Sequence, residues 1–150
     1  MSVRFYEDLV EGEERNFGPR TVTEGELLAF ARQYDPQDFH ADPEAAKHSI
    51  FHGLIASGIF TMAIWRQLDH QIARDIAWIC GVAWNDVRFP VALRAGDTVR
   101  ARSRCLSKRL SRRQPARGVV VYEYVLLNQR DETVFTCRST NLVKRRQASP

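Results

Sequence analysis

The sequence predicts an α+β domain in which one antiparallel sheet packs against a single long helix. The first observation is the segment from Gly53 to about Gln71, whose apolar residues lie on nearly all sides of the first turns of the predicted helix. A helix of this kind is enclosed by other structure. The second observation is a change from helical spacing to strand alternation at residue 76. The length suits one domain over 1–150, with a disordered tail from about residue 145.

The first third of the chain predicts one strand and two helices. The strand runs from Glu13 to Val22. The capping box Thr23-Glu24-Gly25-Glu26 then starts a helix that ends near Tyr34. Asp42-Pro43 provides a second helix start, because aspartate caps well and proline suits the first helical position. The short helix that follows is expected to run to about Lys47.

The second half of the chain predicts four strands. Their residues alternate between apolar and polar types and are rich in Val, Ile and aromatic residues. Gln129 to Glu132 has the length and composition of a tight hairpin between the last two strands. The predicted strands are Ile76–Phe89, Thr98–Leu106, Val119–Asn128 and Thr133–Val143.

Composition excludes several classes of protein. The sequence contains no run of about 18 apolar residues, so no transmembrane helix is expected. The polar N-terminus does not resemble a signal peptide, so a cytoplasmic location is expected. Cys80, Cys105 and Cys137 are widely spaced, which predicts neither disulfides nor a metal site.

The net charge of +4 has three explanations: nucleic-acid binding, binding of a phosphorylated cofactor such as coenzyme A, or simple solubility. The strand with Arg100, Arg102 and Arg104 carries no interleaved aromatic residue. Stacking platforms for single-stranded nucleic acid require such residues. We therefore expect no nucleic-acid partner.

The candidate chemistry lies in the stretch that carries Asp35 and His40, five positions apart. On a regular helix these two side chains would point about 140° away from each other. Pro36 disfavours helical geometry at Asp35, and Pro43 suits the start of the next helix. The stretch is therefore predicted to be a loop between two helices, which can bring the two side chains toward one small volume. Alone, an aspartate before proline is usually a turn residue, and a single histidine is usually on the surface or in the core.

Two segments carry a family resemblance: Tyr34-Asp35-Pro36-Gln37-Asp38-Phe39-His40, and the later His52-Gly53 before an apolar helix. They resemble the MaoC-like dehydratases, the (R)-specific enoyl-CoA hydratase group, whose core pattern is Gly-Asp-x-Asn-Pro-aliphatic-His. The acid and the histidine match at Asp35 and His40. Tyr34, Gln37, Asp38 and Phe39 depart from the pattern. The resemblance implies a hotdog fold, in which the sheet curls around the long helix, and a homodimer or a dimer of dimers.

The resemblance also implies roles for individual residues. Asp35 and His40 would jointly bind and activate one water, and the Gly53 amide would hold the thioester oxygen. A helix starting at His52-Gly53 would add the favourable end of its dipole to that amide. The other candidates, as substrate-binding residues, are Tyr34, Gln37, Phe39, His52 and Ser57.

The reaction implied is addition of water to a trans-2-enoyl thioester, or its removal from a 3-hydroxyacyl thioester. The acyl group would be carried by coenzyme A or by a carrier protein, and no metal or further cofactor is expected. Two alternatives stay open at this point. One is a hotdog acyl-CoA thioesterase, and the other is a non-catalytic subunit that binds acyl thioesters.

Overall fold

The structure is a computed structural model that describes residues 2–146. Its helices are α1 (Glu24–Tyr34), α2 (Asp38–Ala41), α3 (Pro43–Lys47) and α4 (Gly58–Ile72). Its strands are β1 (Glu14–Thr21), β2 (Trp78–Arg88), β3 (Thr98–Leu110), β4 (Arg117–Leu127) and β5 (Thr133–Lys144). Single 3₁₀ turns occur at Tyr6–Asp8 and Ala73–Asp75.

The strands form one sheet in the order β1-β3-β4-β5-β2, and every neighbouring pair is antiparallel. Helix α4 packs on this sheet through a buried row that includes Trp65. The Trp65 ring lies 4.9 Å from the Tyr124 ring and 5.1 Å from the Phe135 ring. An antiparallel sheet around one long helix is the predicted α+β hotdog arrangement, which is thereby confirmed.

Strand burial follows the period of two that the sequence predicts. Along β4, buried residues alternate with half-buried ones without interruption. Strand β3 extends to Leu110, beyond the predicted Leu106, which shortens the basic loop that follows it. The predicted hairpin is also present, because the Asn128 amide donates to the Glu132 carbonyl oxygen at 3.0 Å. The four predicted strands of the second half are therefore confirmed.

The capping box of α1 forms as predicted. The Thr23 hydroxyl oxygen accepts from the Glu26 amide at 3.2 Å, and the Glu26 carboxylate accepts from the Thr23 amide at 2.9 Å. The helix ends at Tyr34 because Pro36 disfavours helical geometry at the residue before it, Asp35.

The start of the long helix was predicted wrongly. Helix α4 begins at Gly58, whereas the apolar pattern indicated Gly53. The Ile55 amide donates to the Phe39 carbonyl at 3.1 Å, and the Ala56 amide donates to the Leu93 carbonyl at 2.8 Å. Because these amides bind carbonyl groups elsewhere in the fold, the segment 53–57 is irregular rather than helical.

The disordered tail predicted from about residue 145 stays a prediction, and its first two residues form ion pairs with the N-terminal segment. Arg145 pairs with Glu7 at 2.8 Å, and Arg146 pairs with Asp8 at 2.6 Å. The rest of the predicted tail, residues 147–150, lies outside the described residues. Across residues 2–146 the helices are all too short or too polar to cross a membrane.

Candidate active site

The turn between α1 and α3 brings Asp35 and His40 together. Asp35 follows the last residue of α1, and His40 lies in the single helical turn α2, so the prediction of a loop throughout this stretch is wrong at 38–41. The His40 amide donates to the Gln37 carbonyl at 2.9 Å and closes this turn. As a result, His40 Nε2 lies 3.7 Å from Asp35 Oδ2. That separation leaves room for one water oxygen within hydrogen-bond distance of both atoms.

The imidazole of His40 is buried, with 6 % of its surface exposed, and its orientation is fixed. Nδ1 lies 2.8 Å from the Ile55 carbonyl oxygen. A carbonyl oxygen only accepts, so Nδ1 carries the proton in the neutral ring. The lone pair of Nε2 therefore faces Asp35 and is free to accept a proton.

The carboxylate of Asp35 is held by two side-chain donors. The Ser57 hydroxyl donates to Oδ2 at 2.6 Å, and the Gln37 side-chain amide donates to Oδ1 at 3.0 Å. These bonds, the Ser57 bond first, together with His40, lower the pKa of Asp35 below its ordinary value of 3.8. Ser57 is also the N-cap of α4, whose dipole favours a negative charge at this end. Asp35 is thus ionised at neutral pH.

A cavity of about 580 Å³ opens beside His40, and we call it the His40 cavity. Its walls are mainly apolar, and its volume and lining are typical of a small-molecule site. His40 is part of the wall, so the acid–base pair stands at the edge of an apolar space. Such a space suits an acyl chain. The apolar walls include Phe39, Phe51, Ile55, Phe89, Leu93 and Val134.

Gly53 lies in a sharp turn, five residues before α4 begins. His52 has φ +54° and Gly53 has φ +155°, a value that side-chain-bearing residues rarely adopt. A Cβ atom on Gly53 would lie 3.4 Å from Arg94 Nη1. Within residues 2–146 the Gly53 amide has no protein acceptor. Because α4 begins only at Gly58, the prediction that a helix dipole supports the Gly53 amide is wrong. The role of that amide as a donor stays a prediction.

The remaining predicted substrate residues lie in different places. Phe39 lines the His40 cavity, with its ring 4.5 Å from the imidazole. Tyr34 is 61 % exposed and packs against Phe30 at 5.0 Å. His52 is exposed, and neither Tyr34 nor His52 lines the cavity. Ser57, also a predicted substrate-binding residue, is only 1 % exposed, and its hydroxyl donates to Asp35.

One wall of the His40 cavity is not predictable from local sequence patterns. Residues 89–94, which join β2 to β3, form that wall and end in Arg94. The break of strand pattern at Phe89-Pro90 was visible, but nothing local indicates that this connection faces His40.

A metal ion would need several His, Cys, Asp or Glu side chains close together. Across residues 2–146, no three His, Cys, Asp or Glu side chains are grouped so as to hold a metal ion.

Comparisons with known proteins give a family model and curated relatives that match the chain. The family model described as the MaoC like domain matches residues 8–126. The chain is 33% identical over 130 residues to Uncharacterized protein YdeM of Bacillus subtilis (strain 168), covering 83% of this chain and 87% of that protein. It is 36% identical over 86 residues to 3-hydroxyacyl-thioester dehydratase Z of Mycobacterium tuberculosis, covering 55% of this chain and 57% of that protein.

Two solved structures extend the comparison. A MaoC-like dehydratase from Rhodospirillum rubrum matches with a TM-score of 0.90 and 35% identity, covering 97% of this chain and 99% of that one. The R-hydratase PhaJ1 from Pseudomonas aeruginosa matches with a TM-score of 0.73 over 97% of this chain and 94% of its own. At 17% identity, the second match is a likeness of fold alone.

Proposed function

Because the chain belongs to the family of MaoC-like domains, we propose that it is a hydratase or dehydratase acting on trans-2-enoyl and 3-hydroxyacyl thioesters. One observation carries the proposal: Asp35 Oδ2 and His40 Nε2 lie 3.7 Å apart at the edge of an apolar cavity. The relative named 3-hydroxyacyl-thioester dehydratase Z supports the same reaction class. The proposed chemistry uses coenzyme A only as part of the substrate and needs no metal.

The mechanism follows from the proton positions. The ionised carboxylate of Asp35 and the lone pair of His40 Nε2 both accept hydrogen bonds, so together they orient one water molecule. The water oxygen bonds to the β-carbon, and one of its protons passes to this pair. The electrons of the double bond move to the thioester oxygen and return when that proton is delivered to the α-carbon. Dehydration is the reverse sequence.

Replacing either member of the pair tests the proposal. Asp35→Asn and His40→Gln remove the two proton acceptors while keeping similar side-chain volumes. We expect the rate of crotonyl-CoA hydration to fall by about 10²–10⁴-fold in each variant. The rate is measured as the loss of enoyl-thioester absorbance. His48→Gln is the matched control, because His48 is exposed in the turn after α3. Full hydration rates in both variants would show that the assignment is wrong.

The same assay separates the alternative functions. A thioesterase would release free thiol from acyl-CoA, which a thiol reagent detects, whereas a hydratase leaves the thioester intact. A non-catalytic subunit would bind enoyl-CoA and turn over none of a panel of chain lengths. Chiral analysis of the 3-hydroxyacyl product completes the assignment.

We also propose that the protein works as a homodimer, with a second copy covering β2. This strand is an edge of the sheet, and an exposed apolar edge pairs readily with another chain. Its large apolar side chains include Trp84, which is 48 % exposed. At the end of the strand, Phe89 is 45 % exposed and also lines the His40 cavity, so the partner would close that side of the site. Val82→Lys, on the same strand, is expected to make the protein monomeric, which light scattering would detect. The monomer is expected to hydrate crotonyl-CoA more slowly.

A further inference from the structure

Arg94 differs from the other basic residues because it lines the same cavity as His40. Its side chain is half-buried, and its Nη2 donates to the Phe51 carbonyl oxygen at 2.8 Å. In the part of the chain from 2 to 146, no carboxylate lies within salt-bridge distance of its guanidinium. Among these described residues, only one of the five guanidinium N–H groups is bound, to Phe51, so the others are available to an anionic group of a ligand.

Hydrogen bonds hold Arg94 at its backbone and at the tip of its side chain. At the backbone, the Arg94 amide donates to Asp97 Oδ2 at 2.9 Å, and the Asp97 amide returns a bond to the Arg94 carbonyl at 3.1 Å. At the tip, the bond to Phe51 holds Nη2, so that Nη1 lies 3.4 Å from the point where a Gly53 side chain would begin. Any side chain at Gly53 would therefore begin in contact with this positive charge.

We propose that Arg94 stabilises the thioester oxygen as it gains enolate charge, alongside the free amide of Gly53. The inference rests on the proposed function. Pre-oriented charged donors in a water-poor cavity are among the largest sources of catalysis. The charge would come from Arg94 rather than from a helix dipole, because α4 begins at Gly58. The phosphates of coenzyme A are a less suitable partner, because the whole pantetheine arm separates them from the thioester, whereas Arg94 and His40 share one cavity.

The experiment compares two thioesters that carry the same acyl group. Crotonyl-CoA has phosphates, and crotonyl-N-acetylcysteamine has none. Arg94→Gln removes the charge but keeps a side-chain N–H donor. We expect kcat to fall about 10²-fold on both substrates, with a smaller change in KM. Arg94→Lys keeps the charge without the planar fork and is expected to recover part of kcat.

Arg102→Gln is the matched control, because it makes the same charge change on an exposed residue of β3 outside the cavity. Thermal unfolding of each variant checks that the fold is retained. A loss confined to crotonyl-CoA would assign Arg94 to the phosphates and overturn the proposal. Unchanged kcat in Arg94→Gln would overturn it as well.

A second measurement needs no turnover. Acetoacetyl-CoA forms an enolate with its own near-ultraviolet absorbance, and a site that stabilises thioester enolates increases that signal on binding. We expect the wild-type protein to increase it and Arg94→Gln to do so at least tenfold less. Equal signals in the two proteins would refute the role of Arg94. If the wild-type protein gives the signal, Arg94→Gln loses it, and neither hydrates an enoyl thioester, the proposed function is refuted while the Arg94 inference is supported.

Discussion

Substitution of Ser57 by alanine tests whether Asp35 is held in its ionised state by the start of α4. The Ser57 hydroxyl has two functions in the structure: it donates to Asp35 Oδ2 at 2.6 Å, and it accepts from the Ile59 amide at 3.3 Å as the N-cap. Alanine removes both bonds and adds no bulk. The variant therefore tests whether the Ser57 hydroxyl positions the Asp35 carboxylate and keeps it ionised.

The magnitudes follow from these two bonds. A hydrogen bond to a charged group contributes about 1.5–3 kcal/mol to the free energy of unfolding. An N-cap contributes about 1 kcal/mol. The total loss expected at pH 7 is about 2.5–4 kcal/mol. Because the native fold lowers the pKa of Asp35, the carboxylate part of this stability is present above pH 3.8 and is lost as the pH falls through the native pKa. The stability gap between wild type and variant should therefore narrow in acid.

Activity gives the sharper measurement. Without the Ser57 bond, the pKa of Asp35 rises, so the acidic limb of the kcat/KM profile for crotonyl-CoA should move to higher pH. We expect kcat to fall by about tenfold, equivalent to roughly 1.4 kcal/mol of lost positioning. Ser57→Thr keeps a hydroxyl, so the acidic limb of its kcat/KM profile is expected to lie at the same pH as in the wild type.

Thr23→Ala is the matched control, because it removes the N-cap of another helix, α1, at an exposed position. It should cost about 1 kcal/mol of stability and leave the pH profile unchanged. The prediction is wrong if Ser57→Ala loses only as much stability as Thr23→Ala does. It is then also expected to keep the wild-type kcat and the wild-type acidic limb of the kcat/KM profile.

Three further predictions concern other parts of the chain. Glu26→Gln should lower the free energy of unfolding by about 1 kcal/mol at pH 7. Hydrogen bonding by Arg20 lowers the pKa of Glu26 from 4.5 to about 2, so a denaturation series should show the difference disappearing as the pH falls through that range. Burial raises the pKa of the Cys137 thiol to about 12, so it should not react with a thiol reagent at pH 8 until the protein unfolds. Gly58→Ala would place a Cβ 3.0 Å from the Phe89 ring, so kcat/KM should fall about tenfold more for octenoyl-CoA than for crotonyl-CoA.

Much of the fold could be predicted because its signals are local. The alternation in β4 and the capping box at Thr23 each lie within one element, so sequence neighbours determine them. The motif around Asp35 and His40 is also local, and the family it indicated is confirmed by the match over residues 8–126. The roles of the predicted site residues stay predictions, which the substitutions above test.

Other features depended on contacts that are distant in sequence. Periodicity could not show that the Ala56 amide binds the Leu93 carbonyl, and this bond helps to keep 53–57 out of the helix. For the same reason, Ser57 could not be identified as the partner of Asp35, because 22 positions separate the two residues.

The sequence by itself determined the strands, the first helix and the acid–histidine motif, because each arises from spacing within a short segment. Only the tertiary structure decided where α4 begins, which donors hold Asp35, and that Arg94 shares a cavity with His40. The physical reason is that a backbone amide or a buried charge binds the partner that folding brings near. That partner is set by the packing of the sheet and helices, which local patterns do not encode.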